Sequence, residues 1–184
     1  MKTGRLSRTV LILIITAAAT TASAKHVYVG GKATGCFGNA DTACKTLVTG
    51  IAVSGPGTIT ISASGRVKWG GGAYSGPNGR SACIPDYQKP LQEAQGIAHG
   101  CVKNVGALFG VFVAQSWVQQ EGFQPFDATK NLVQVGIKPG GLILVGRNKK
   151  LQVKEAGTLF LGINDDGVQD NGGRFSVNIT FSAY

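Results

Sequence analysis

Apolar and polar residues alternate along three segments of the chain: Thr58 to Ala63, Leu151 to Lys154 and Phe175 to Phe181. A period of two puts one set of side chains on a buried face and the other in water, so each segment predicts a half-buried β-strand. Unbroken apolar runs at Ala107 to Ala114, Leu142 to Val145 and Thr158 to Ile163 predict strands buried on both faces. Glycine and proline punctuate the gaps, as in Gly55-Pro56-Gly57, Gly76-Pro77-Asn78-Gly79 and Pro139-Gly140-Gly141. Only Pro90 to His99 suits a short helix. Strands at this spacing, with so little helix and no internal repeat, predict one all-β domain built as an antiparallel β-sandwich. The stretch from Trp69 to Asn104 then reads as one elaborate loop, the part of such a fold where function tends to sit.

The N-terminus breaks this pattern. Lys2, Arg5 and Arg8 form a basic segment, the apolar run Val10 to Ile15 follows, and Ala22-Ser23-Ala24 supplies small residues for a signal peptidase. That order predicts a cleavable export signal over residues 1–24 and a mature domain over 25–184. The uncharged stretch from Thr9 to Ala24 is about sixteen residues and half of it is Ala, Thr and Ser, short of the roughly 20 apolar residues of a spanning helix. The expected destination is extracellular or periplasmic, with no stable membrane insertion after cleavage.

Residues 25–184 have a length that suits a single domain with a real core. Three of the 18 basic residues and none of the nine acidic ones lie in the signal, leaving 15 against nine and a net charge of +6. The cations are scattered, with a small cluster at Arg147, Lys149 and Lys150, which argues against nucleic acid as the partner. Cys36, Cys44, Cys83 and Cys101 all lie in the mature chain, and an even count in an exported protein predicts disulfides. Three pairings are open; Cys36 with Cys44 and Cys83 with Cys101 is favoured, because each closes a loop poor in apolar residues. The short paired spacings of a zinc site are missing.

Candidate chemistry concentrates in Asp165-Asp166-Gly167-Val168-Gln169-Asp170-Asn171. Three carboxylates and an amide oxygen in one turn repel one another unless a cation joins them. Oxygen donors alone select a hard cation, and a flexible mixture of carboxylate, amide and backbone carbonyl suits Ca²⁺ better than Mg²⁺. The spacing is not that of an EF-hand, and a plain polar hairpin turn uses the same residue types.

The segment Gly162 to Asp165, continuing through Asp170-Asn171-Gly172-Gly173-Arg174-Phe175 to Ile179, resembles the C-terminal signature of the PA-IL-like bacterial galactose-binding lectins. Upstream, Gly57 to Gly65, Trp69-Gly70, a Gly-Pro-rich loop and Gly106-Ala107-Leu108-Phe109-Gly110 are similar to the rest of that domain in the same order. The resemblance spans roughly residues 50–181. It implies a jelly-roll-like β-sandwich whose sugar is held through a bound Ca²⁺, two sugar hydroxyls completing the coordination. On the matching positions it assigns the metal to the side chains of Asp165, Asp170 and Asn171. Backbone carbonyls at Trp69 and near Val168 or Gln169 would add to them.

The chain departs from the family pattern at several points. Trp69 stands where the family has Tyr, which backbone ligation tolerates. The loop is shorter, and Asp170 replaces the first Asn of a pair, adding negative charge at the metal. Family members place a His and a Gln three residues apart before a Gly; here Gln95 precedes Gly96 and Gln92 takes the His position. Gln92, Gln95 and the ring of Trp69 are the expected saccharide contacts, with ordinary packing the competing reading for Trp69 and Tyr74. His99 reads as a loop residue.

The expectation is therefore a secreted, calcium-dependent saccharide-binding protein of galactose type that is not an enzyme. Tyr184 follows the last strand closely enough to join a homo-oligomer interface. A structural alternative makes the calcium a stabiliser of a sandwich that binds no sugar. An enzyme alternative, with Asp165 and Asp170 as an acid/base pair for glycoside hydrolysis, is chemically weaker, because a calcium-bound carboxylate is a poor general acid.

Overall fold

A computed structural model describes residues 22–34, 47–83, 101–116, 141–165, 167 and 169–184. Two antiparallel sheets pack as a sandwich. The first contains β1 (Ser23–Gly30), β11 (Gly172–Ala183) and β3 (Gly57–Trp69) in that order. The free edge of β3 is shared by β9 (Asn148–Val153), which pairs Gly57 to Ser62, and β4 (Ala73–Ser75), which pairs Val67 to Trp69. The second sheet has the order β2 (Val48–Val53), β10 (Gly157–Ile163), β7 (Leu108–Ala114), β8 (Leu142–Leu144). β5 (Arg80–Cys83) and β6 (Cys101–Val105) form a separate two-stranded ribbon.

The all-β sandwich expected from the alternation is the architecture found. Along β3 and β11 the odd positions face inward: Ile59, Ile61, Ala63 and Val67 meet Phe175, Val177, Ile179 and Phe181 in one buried cluster. Leu159, Leu161 and Ile163 of β10 enter that cluster from the second sheet. The opposite face of β10 and β7 is buried too, with Phe109, Val111, Val113 and Phe160 in a second cluster. This is why those runs are continuously apolar rather than alternating.

The even positions of β3 and β11 point outward and pair as Thr58 with Ser182, Thr60 with Thr180, Ser62 with Asn178 and Ser64 with Ser176. The first sheet thus presents a platform of hydroxyl and amide side chains.

The reading of Trp69 to Asn104 as one loop is corrected in part, since β4, β5 and most of β6 fall within it. Strands of three to five residues are too short to carry a period. The expected helix at Pro90 to His99 lies outside the described residues. Cys83 and Cys101 are register partners across β5 and β6, whereas Cys36 and Cys44 lie outside the description. Ser23 and Ala24 begin β1 ahead of the expected cleavage point; Lys25 to Gly30 continue its pairing with β11. No helix among the described residues is long and apolar enough to cross a membrane.

Candidate functional site

The acidic loop connects β10 to β11, and those strands belong to different sheets, so the loop bridges the sandwich at one end. Three other connections reach the same end: the β3–β4 turn, the β6–β7 turn, and the segment after β1. Backbone hydrogen bonds lock them together. Ile163 N–H donates to Ala33 O at 2.8 Å, Asn164 N–H to Ala107 O at 2.9 Å, and Gly106 N–H to Asn164 O at 2.8 Å. The side chain of Asn164, fully buried, donates from Nδ2 to Asn104 O at 3.0 Å. That bond holds a turn in which Asn104 adopts a φ of 62°, a left-handed conformation that Asn tolerates better than most residues.

Gly106 follows with a φ of +68°, and a Cβ there would lie 2.6 Å from Cδ1 of Trp69. The indole of Trp69 therefore occupies the space that a side chain at position 106 would need. Trp69 is buried, clustered with Val105 and Ala73, and Ser75 donates beneath it to Gly106 O at 2.9 Å. The ring is a packing element in this arrangement, and Tyr74, at 52% exposure, is the aromatic residue open to solvent.

The backbone of Trp69 leads into Gly70-Gly71-Gly72, all with positive φ, a run that residues bearing a Cβ rarely adopt. This conformation lets Gly71 N–H donate to Oδ2 of Asp170 at 2.8 Å. The exposed carboxylate of Asp170 is thereby tied to the turn that begins at Trp69, across 99 positions of sequence.

Asp165 and Asn171 are buried, at 2% and 6% exposure. Nδ2 of Asn171 donates to Gly31 O at 2.9 Å. A flipped amide would set oxygen against oxygen, so this bond fixes which way the group points. Oδ1 is then buried without a hydrogen-bond partner. A preoriented, buried amide oxygen without a protein partner is costly and is what a hard cation takes as a ligand. Beside it an open cleft of about 360 Å³ runs past Gly31, Lys32, Leu47 and Gly173.

Of the sequence-predicted residues, the fold brings Asp165, Asp170, Asn171 and the Trp69 turn to one end of the sandwich. Val168, Gln92 and Gln95 lie outside the described residues. Among the described residues no three His, Cys, Asp or Glu side chains gather as a metal cluster; the oxygens at this end belong to carboxylate, amide and backbone groups. Sequence reasoning missed Asn164, Asn104 and Gly31, which position the loop without carrying charge. The Gly30-Gly31 pair after an alternating Val27-Tyr28-Val29 was the one signal available.

Among solved structures the chain is similar to the N-terminal domain of EclA, described as a PllA-like lectin. Identity is 22% over 85% of this chain and 94% of that one, with a TM-score of 0.43. No protein-family model and no curated protein matches the chain.

Proposed function

We propose that this protein is an exported, calcium-dependent saccharide-binding protein that performs no catalysis. The observation that carries the reading is the buried, unpartnered Oδ1 of Asn171. It sits in the same loop as Asp165 and Asp170, against a turn that starts at Trp69. Side chains of Asp165, Asp170 and Asn171 would hold the ion, with backbone carbonyls of Trp69 and of the Val168 region. The order of motifs shared with the PA-IL-like lectins supports the same donor set.

Calcium, when bound, supplies coordination positions for vicinal sugar hydroxyls. The chain's own residues do the rest. Gly71 N–H restrains Asp170, Gly31 O restrains Asn171, and backbone bonds of Asn164 and Ile163 hold the loop to the β6–β7 turn and to the segment after β1. Preorganisation of this kind lowers the ordering cost of binding a small polar ligand. Gln92 and Gln95 would hydrogen-bond the ring, and galactose is the first sugar to try. Affinity at one such site is modest, so multivalent display through a homo-oligomer would be needed for cell agglutination.

The test is calorimetric titration of the oxidised mature protein, stripped with chelator, first with Ca²⁺ and then with galactose and other monosaccharides. Calcium binding that is lost in Asp165→Ala, followed by calcium-dependent sugar heat, is the expected result. Calcium binding with no response to any sugar would replace the lectin reading with a structural one. No calcium binding at all would remove both.

A further inference from the structure

The outward face of the first sheet has a charge distribution that neither the fold nor the proposed calcium site uses. Its five strands contain no Asp or Glu, and Arg66, Lys68, Lys150 and Arg174 stand at outward-facing positions. Arg66 and Arg174 are direct register partners on β3 and β11, both exposed. Like charges placed opposite each other across a ladder cost stability. Among the described residues no carboxylate pairs with either. One position along, Lys68 stands opposite Tyr74 on β4. On the other flank, the guanidinium of Arg174 lies 4.2 Å from the centroid of the Tyr28 ring.

The result is a stripe across the sheet, Tyr28, Arg174, Arg66, Lys68 and Tyr74, with a tyrosine at each end that is 52% exposed. Along β3 and β11 it continues into the rows of Ser, Thr and Asn described above.

We propose that this stripe binds an acidic polysaccharide, one bearing carboxylate or sulfate groups on its sugar rings. Guanidinium groups match such anions with two parallel hydrogen bonds, and two of them side by side meet charges repeated along a chain. The exposed ring of Tyr74 offers a flat face to the C–H side of a pyranose, and Tyr28 holds the guanidinium of Arg174 in place. The neighbouring hydroxyl and amide rows can both donate to and accept from sugar hydroxyls. A lipid surface fits less well, because the large exposed hydrophobic residues among the described ones are three tyrosines, with no aliphatic side chain to insert. The inference does not rest on the calcium reading, since no residue of the stripe belongs to the calcium donor set.

The experiment is binding of the oxidised mature protein to immobilised heparin in chelator at about 0.15 M salt, where charges more than roughly 8 Å apart are screened. Retention in chelator is expected. The double variant Arg66→Gln/Arg174→Gln should bind roughly tenfold more weakly, the scale of two exposed charge contacts. A control, Lys25→Gln/Lys154→Gln, removes the same charge toward the opposite end of the sheet, where Lys25 stands opposite Ile179 and Lys154 follows Val153, the partner of Gly57, and should bind within about twofold of the parent. Equal loss in both doubles, or no loss in the first, would overturn the proposal, as would binding that needs calcium. Tighter binding to duplex DNA or to anionic vesicles, with the same dependence on Arg66 and Arg174, would also overturn the choice of partner. Failure of the calcium titration would leave the heparin result standing, so the two readings fail separately.

Discussion

Replacing Asn171 by Ala should matter only when calcium is present. The side chain makes one buried hydrogen bond, from Nδ2 to Gly31 O at 2.9 Å, whose loss costs about 1 kcal/mol. It also buries Oδ1 with no partner, a desolvation penalty of about 1–3 kcal/mol that the metal-free protein carries. Truncation removes the penalty along with the bond. In chelator the two nearly offset, and Asn171→Ala should unfold within about 1 kcal/mol of the parent.

In calcium the balance changes. A ligand present at a hundred times its dissociation constant stabilises the folded state by about 2.7 kcal/mol, and a hundredfold weaker affinity leaves about 0.4. Asn171→Ala should then trail the parent by about 2 kcal/mol or more in calcium alone. Urea unfolding without reductant, run in chelator and in calcium, reads this difference directly. Asn178→Ala, on the exposed face of β11, serves as the comparison and should respond identically in both media. A deficit for Asn171→Ala of equal size in both would mean that the amide only ties the loop to Gly31, and the cation argument would fail.

Three further outcomes follow from the same geometry. Asp170→Asn keeps an oxygen to accept from Gly71 N–H but removes a charge, so stability in chelator should hold while calcium titration shows weaker affinity by roughly tenfold or more. Gly106→Ala combines a φ of +68° with a Cβ driven into Ser75 Oγ and Trp69, and thermal unfolding should register a loss of about 3 kcal/mol or greater. We also propose that Cys83 and Cys101, direct partners on antiparallel strands, are joined, since that pairing sets Cα atoms about 4.5–5.5 Å apart, within disulfide range. Non-reducing peptide mapping should find the bridge, and breaking it should cost about 3 kcal/mol; a free thiol at either position would exclude it.

The fold was legible wherever burial follows a period. β3, β9 and β11 alternate because each has one wet face, and β7 and β10 do not because both of their faces are covered. The reading faltered where an element is too short for a period, as in β4, or where its alternation is confined to a few residues, as with Val27 and Val29 of β1. The site divides along the same line. Asp165, Asp170 and Asn171 stand out as a run of oxygen donors, and charge density in a turn is visible without coordinates. The partner of Asn171 is a backbone carbonyl 140 positions away, and that of Asp170 a backbone N–H at a distance of 99. Backbone groups are the same at every position, so no residue type announces them.

The position of the acidic loop also bears on how the two calcium readings relate. β10 ends in the second sheet and β11 begins in the first, so a cation between Asp165 and Asn171 would tie the sheets together at that end. Stabilisation by calcium is thus expected whether or not a sugar binds, and a calcium-dependent rise in unfolding temperature does not separate the structural reading from the lectin reading. What separates them is which donors come from the chain. Asp170 is exposed and restrained from the β3–β4 turn, whereas Asn171 is buried and held by Gly31. Donors gathered from the protein side leave the solvent side for hydroxyls. A purely structural ion would be enclosed instead, because closed coordination binds more tightly and no selection would keep one side open. A sugar titration on calcium-loaded protein is the measurement that decides between the two arrangements.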